Sequence, residues 1–268
     1  MLKNKTSRPA GKTLISGGLC LAALLFVMGC GSLERFTGSS NTADAPSNAV
    51  PTNTDSNPAD PASKTASLGN CANEYYPISG EADNYKVTGA APGSYTLSQK
   101  LNDPNSFSET RVFDSGVNVT TNWICDPEGL RNAQYGNNIS VENANFNMET
   151  IESTGLTIPR ELSVGKAWDA SYKVRVKGTA GNMPIGSDGN VVVKKKGVSL
   201  NDRVTAGGKE YEAAKVDTEI TINLTMGGQK VPGMTIKGTN WFAKGVGLVK
   251  QEVRSPYGVQ GVELTGAN

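Results

Sequence analysis

The chain has 268 residues, with 26 basic and 25 acidic side chains and no histidine. The lack of histidine excludes Ser-His-Asp and Cys-His catalysis as well as histidine-based metal sites. No Walker loop and no dinucleotide fingerprint occurs, so the common nucleotide-binding enzyme classes are excluded too, and no cofactor is expected.

Residues 1–29 are predicted to be a lipoprotein signal peptide. Four basic residues open it: Lys3, Lys5, Arg8 and Lys12. The uncharged apolar run 14–29 that follows has about 16 residues, fewer than the roughly 20 needed to span a membrane. It ends in Val27-Met28-Gly29-Cys30, which is typical of a lipobox. Cys30 is therefore the predicted lipidation (palmitate) site; an uncleaved membrane anchor is the alternative.

The predicted signal peptide and the residues after it also indicate where the protein is found. Several acyl chains on Cys30 would hold it durably on a membrane. Gly31-Ser32 lacks the Asp of an inner-membrane retention signal, so in a diderm host we expect the outer membrane. Loss of the four basic leader residues changes the net charge from +1 to −3. A mildly acidic protein does not favour nucleic-acid binding.

Composition divides the rest of the chain into two parts. Residues 30–70 hold the lipidated cysteine and a tether rich in Ser, Thr, Asn and Pro, which we expect to be disordered. Residues 71–268 have the length of one domain. Cys71 and Cys125 would lie in an oxidising compartment, so a disulfide between them is predicted.

Period-2 alternation predicts an all-β domain. The clearest strand is 211–226, in which Ala214, Val216, Ile222 and Leu224 share one face. The other predicted strands are 85–88, 94–101, 107–113, 117–125, 146–151, 168–177, 191–196, 235–242, 247–254 and 259–264. The segment 154–168 is predicted to be a crossing loop that separates two halves. The expected fold is an antiparallel meander of about ten strands, either a curved half-barrel or a barrel.

Two kinds of polar pattern could carry chemistry. Glu149 with Glu152, and Asp217 with Glu219, are candidate carboxylate pairs, although a solvated strand face explains the second pair. Lys173, Arg175 and Lys177 share one strand face and could bind an anionic partner; a soluble, edge-protecting strand face is the alternative. No spacing typical of a metal site occurs.

Large apolar residues on inward positions suggest a ligand site. If the curved sheet is hollow, a hydrophobic ligand would contact Trp123, Trp168, Ile222, Trp241 and Phe242. If it is filled, the same five residues form a packed core.

Four stretches resemble a set of bacterial extracytoplasmic lipoproteins of unknown function. They are Cys71-Ala72-Asn73-Glu74-Tyr75-Tyr76-Pro77, the stretch 123–130 with the second cysteine, the Leu/Ile-Pro, Val-Gly, Trp pattern in 156–168, and Trp241-Phe242-Ala243-Lys244-Gly245-Val246-Gly247-Leu248-Val249-Lys250. The resemblance implies a curved antiparallel sheet, loosely like the half-barrels of lipoprotein carriers, and no catalytic residues.

These observations predict a lipid-anchored envelope protein that is not an enzyme and that binds a hydrophobic ligand or acts as a scaffold. The alternative is a module that binds a protein partner in envelope or appendage assembly. A carboxylate-based glycan hydrolase is the third hypothesis.

Overall fold

The computed structural model describes residues 68–89, 92–135, 139–141, 144–180, 183–226, 229–230, 233–255 and 258–267. The predicted signal peptide, the lipidation site Cys30 and nearly all of the tether lie outside these residues. Within the described part of the chain, no helix has the length and apolar character needed to cross a membrane.

The described residues form a 15-stranded antiparallel sheet, preceded by one short 3-10 turn at Gly69–Cys71. The strands are β1 Asp83–Gly89, β2 Gly93–Asp103, β3 Ser106–Phe113, β4 Asn118–Asp126, β5 Gly129–Asn132, β6 Ile139–Val141, β7 Ala144–Gly155, β8 Ile158–Pro159, β9 Ala167–Ala180, β10 Met183–Ala206, β11 Lys209–Met226, β12 Gln229–Lys230, β13 Met234–Ala243, β14 Gly247–Ser255 and β15 Gly258–Ala267. All eleven predicted strands are present. The expected number of about ten was too low because the two- to four-residue strands β5, β6, β8 and β12 were missed.

The sheet consists of two halves that meet where the first strand pairs with the last. Its order is β6-β7-β9-β10-β11-β13-β14-β15 followed by β1-β2-β3-β4-β5-β8, and β12 pairs with β11 outside this path. β1 joins β15 from Asp83 opposite Ala267 to Gly89 opposite Gln260. Because the order has two ends among the described residues, the sheet is open. The open alternative was therefore right and the closed barrel was wrong.

The predicted crossing loop connects the two ends of this order. It contains β8, which pairs with β5 although it follows β7 in the chain. The Thr150 hydroxyl of β7 also accepts from the backbone N–H of Tyr135 at 2.7 Å and donates to its carbonyl, just beyond β5. The sheet is therefore curved, and hydrogen bonds of the Thr150 side chain connect its two ends.

The alternation in β11 gives the sheet its two faces. Ala214, Val216, Ile222 and Leu224 are buried on what we call the inner face, and Asp217 is exposed on the outer face. Burying a large aliphatic side chain of this kind contributes about 1.5–3 kcal/mol. The pattern therefore fixes which face of the curved sheet becomes core.

The Cys71 segment packs onto the hairpin that joins β13 to β14. Gly245 in that turn has φ of 70°, a conformation that glycine adopts without Cβ strain. Its N–H donates to the carbonyl of Glu74 at 2.7 Å, and Lys244 forms an ion pair with the Glu74 carboxylate at 3.2 Å. A Cys71–Cys125 disulfide, with Cα atoms 4.9 Å apart, ties the same segment to β4.

Candidate binding surface

The five residues expected to contact an apolar ligand lie in three separate hydrophobic clusters. Ile222 packs with Tyr172 and other residues of β9–β13. Trp241 lies in a second cluster with residues of β1, β2 and β15. Trp123, Phe242 and, at its margin, Trp168 belong to a third cluster around Cys71. The structure therefore does not bring the five together around one cavity, and none of them contributes to the three cavities described below.

Trp123 is held in the core by aromatic stacking. Its ring stacks on Phe107 at 5.4 Å between centroids and lies 5.1 Å from Tyr76. Only 4% of Trp123 is exposed, and its indole N–H has no hydrogen-bond partner among the described residues. A buried donor without a partner costs about 1–3 kcal/mol, which the stacking has to offset.

Trp241 is fixed by charged neighbours on the outer face. Its indole N–H donates to Asp202 at 2.7 Å. Lys215 and Lys250 lie over its ring at 5.6 and 5.9 Å. Cation–π contacts of this kind contribute about 0.5–1 kcal/mol each at accessible sites. The Trp241 ring is occupied by contacts within the chain and is only 8% exposed.

A buried ion pair that the sequence analysis missed lies on the inner face of β3. Glu109 is fully buried, contacts Arg111 at 2.8 Å and accepts a hydrogen bond from the Tyr76 hydroxyl. Burial and the negative charge of Glu109 raise the pKa of Tyr76 well above its usual value. Burial by itself would lower the pKa of Arg111, but Glu109, Tyr95 and Tyr76 together outweigh it and the pKa is raised. Each group has its partner, so the arrangement is a structural link between Tyr76 and β3.

A second missed group is Lys195, which lies on the inner face of β10. Its ammonium donates to the carbonyl oxygen of Thr157 at 3.0 Å, and the Trp168 indole donates to the same oxygen at 3.2 Å. Burial lowers the pKa of Lys195 to about 8. Thr157 lies in the crossing segment, so Lys195 and Trp168 hold that segment against the sheet.

The predicted basic stripe is largely neutralised by neighbouring strands. Lys173 contacts Glu152 of β7 at 2.5 Å, and Arg175 contacts Asp188 of β10 at 2.8 Å. Lys177 lies further along β9, opposite Gly186. Lys173 and Arg175 border an outer-face cavity of about 620 Å³ that Asp188 and Lys230 also line. The charges at this position are mixed and do not form a basic patch.

A second concave surface on the outer face crosses β10, β11, β13 and β14. We call it the outer groove; it encloses about 530 Å³. Two cross-strand rows form it, Lys194-Glu219-Lys237-Arg254 and Lys196-Asp217-Thr239-Glu252. Lys237 lies 3.8 Å from Glu219, and the Thr239 hydroxyl donates to Asp217 at 3.0 Å. The side chains lining the groove are of both charges and are largely accessible.

The candidate carboxylate pairs have ordinary surroundings. Asp217 and Glu219 belong to the outer groove and bind its side chains, while Glu149 and Glu152 are exposed on β7.

A different pair, Glu81 and Asp83, lines a cavity of about 400 Å³ next to Tyr211. Burial, with a smaller effect of Glu81, raises the pKa of Asp83. Within the described ranges, no cluster of three or more potential metal ligands occurs.

The fold and these surfaces define an all-β protein with filled clusters on its inner face and charged cavities on its outer face. The sequence profile of the DUF3108-like family matches residues 117–257, just over half of the chain. The protein therefore belongs to the DUF3108-like family. The matched range contains Trp123, Trp168 and Trp241 and begins after the Cys71 motif.

Two solved structures share a similar arrangement. One, from Bacteroides fragilis, is provisionally described as an exported protein with a YmcC-like fold; it is 12% identical, with a TM-score of 0.45 over 74% of this chain and 100% of the other. The other, from Parabacteroides distasonis, is provisionally described as a lipoprotein; it is 13% identical, with a TM-score of 0.45 over 74% of this chain and 99% of the other. No curated protein matches the chain.

Proposed function

We propose that the protein is a lipid-anchored component of the cell envelope that binds a protein partner through the outer groove and performs no catalysis. The lipobox at Cys30 supports the anchor and, in a diderm host, an outer-membrane location. The disulfide between Cys71 and Cys125 supports an oxidising, extracytoplasmic compartment.

The observation that carries the binding role is the pair of charged rows in the outer groove. Basic and acidic side chains of four adjacent strands stand in register there. Such a pattern gives a partner with complementary charges both orientation and a faster association rate. A hydrophobic ligand finds less support, because the five residues expected to bind it are divided among three packed clusters. That hypothesis remains a prediction.

The non-enzymatic part of the proposal rests on the carboxylates. A glycan hydrolase needs two carboxyl groups about 5–10 Å apart that flank a substrate cleft. Glu109, the one fully buried carboxylate among the described residues, is bound by Arg111 and Tyr76. The carboxylates of the outer groove have cationic or hydroxyl neighbours, as in a charged recognition surface.

Site-specific photo-crosslinking in living cells tests this function. A photoreactive amino acid would replace Lys196 or Lys237 in the groove, and Val112, 45% exposed on β3 in the other half of the sheet, would be the control position. We expect the same protein to be crosslinked from both groove positions and not from position 112. Charge reversal by Glu219→Lys should abolish that product while leaving the amount of the protein unchanged. Equal products at all three positions, or none in the groove, would refute the proposal.

A further inference from the structure

The outer face of β2, β3 and β4 differs in composition from the outer groove on the other half of the sheet. Its side chains form three cross-strand rows: Thr96-Val112-Asn118, Ser98-Thr110-Thr120 and Lys100-Ser108-Asn122. All nine are exposed or partly exposed, and Lys100 alone is charged. The outer groove carries mostly charged side chains, whereas seven of these nine side chains end in hydroxyl or amide groups.

These side chains are ordered by contacts with one another. The hydroxyls of Thr110 and Thr120 are 3.0 Å apart, and the Ser108 hydroxyl donates to the Asn122 side-chain carbonyl at 3.2 Å. A hydroxyl has one donor and two acceptor sites, so each pair retains hydrogen-bonding capacity toward solvent. Cross-strand hydrogen bonds restrict the rotamers, which lowers the entropic cost of binding a ligand.

The chemistry of the surface indicates what it would bind. Lys100 is its single charge and stands at the end of one row, so the surface offers little attraction to ionic ligands. The aromatic residues of these strands, such as Phe107 and Trp123, are buried on the inner face. Protein interfaces are centred on Trp, Tyr and Arg, which the three rows lack. Rows of hydroxyl and amide groups instead match a ligand that is itself uncharged and rich in hydroxyls.

The size of the surface favours a narrow, linear ligand. Three strands about 4.8 Å apart, with outward residues about 6.8 Å apart along each strand, give a flat area on the order of 300 Å². A stable protein interface buries about 800 Å² on each partner. The surface is therefore too small for a second copy of this chain, but it can accommodate a few sugar units of a polysaccharide.

We propose that the outer face of β2–β4 binds a neutral polysaccharide through the rows centred on Thr110 and Thr120. This site is separate from the outer groove. Its test is thus independent of the crosslinking experiment, and either proposal can fail without the other.

Native affinity electrophoresis of the full-length protein tests the proposal, with a detergent that has no sugar head group. The gels would contain mannan, laminarin or dextran as neutral probes and alginate as the anionic probe. Thr110→Val with Thr120→Val removes both hydroxyls while keeping side-chain shape and strand propensity. The matched control is Thr221→Val with Thr235→Val, a pair directly opposite each other on the charged half.

We expect at least one neutral polysaccharide to retard the wild type and the control, and alginate to have no effect. The Thr110/Thr120 double variant should bind about tenfold more weakly, as the loss of one or two hydrogen bonds implies. The proposal is overturned if no neutral polysaccharide retards the protein, if alginate binds more tightly than all of them, or if the double variant binds like the wild type.

Discussion

The ammonium group of Lys195 donates a hydrogen bond to the carbonyl oxygen of Thr157 at 3.0 Å. This contact joins the long strand β10 to the segment that crosses between the two ends of the sheet. Burial lowers the pKa of Lys195 to about 8. The contact therefore has an electrostatic cost at neutral pH, because the charged lysine is held in a poorly solvated position.

Lys195→Met should stabilise the protein at pH 7 by roughly 1–3 kcal/mol. Below pH 8 the lysine is protonated in both the folded and the unfolded state, so the cost of burying its charge is fully present. Between pH 8 and about 10.5 the unfolded chain binds the proton more tightly. Wild-type stability therefore rises through this range relative to the variant. Urea unfolding at pH 7 and pH 10.5 measures this, and a variant that is less stable than the wild type at pH 7 would contradict it.

Glu109→Gln should destabilise the protein by about 3 kcal/mol, because it leaves Arg111 largely buried without its counter-charge. The matched control is Glu152→Gln, which removes an exposed ion pair with Lys173. Exposed pairs contribute about 0–1 kcal/mol. Chemical denaturation of both variants gives the comparison, and equal losses would show that Glu109 has no special structural role.

Gly197→Ala should destabilise the protein by about 1–3 kcal/mol. A Cβ atom at Gly197 would lie 2.3 Å from the carbonyl oxygen of Ser163 in the crossing segment. A Cβ atom at Gly186, in the same strand, would have no neighbour within 4 Å, so Gly186→Ala is the control. Thermal unfolding should give a lower melting temperature for Gly197→Ala than for Gly186→Ala. Identical melting temperatures would mean that the crossing segment moves away from the added Cβ atom without a loss of stability.

Cys125→Ser should reduce the stability of the domain by about 4 kcal/mol, since the disulfide closes a loop with a sequence separation of 54. The reduced wild type should match the variant in its melting temperature. A variant that melts like the oxidised wild type would refute a stabilising disulfide.

The alternation of apolar and polar residues predicted the long strands, because one face of each strand packs into the core. The four missed strands have two to four residues, which is too short for a period to be recognised. β10 was predicted only over 191–196 but covers Met183–Ala206. The parts of β10 on either side of the predicted range contain Gly186, Gly189 and Gly197. The pairing register of β10 with β11 also shifts twice between Gly197 and Asp202. These irregularities interrupt the pattern, and contacts with neighbouring strands maintain the pairing.

The sequence held signals for two of the missed groups. Glu109 and Arg111 fall between Phe107 and Phe113 on the inward positions of β3, where opposite charges two residues apart indicate a buried ion pair. Lys195 continues the inward series of Val191 and Val193. The carboxylates that neutralise Lys173 and Arg175 could not be predicted, because the pairing register with β7 and β10 depends on the complete sheet.

Native mass spectrometry of the full-length protein, purified from membranes, tests most directly whether the inner face is filled and recognition takes place outside it. We expect the mass of the lipidated chain, two protons lighter than its reduced form, with no apolar molecule released on collisional activation. A lipid-sized mass that is released from the wild type and missing from Ile222→Ala, a substitution on the inner face, would contradict a filled inner face and place the binding site inside the sheet.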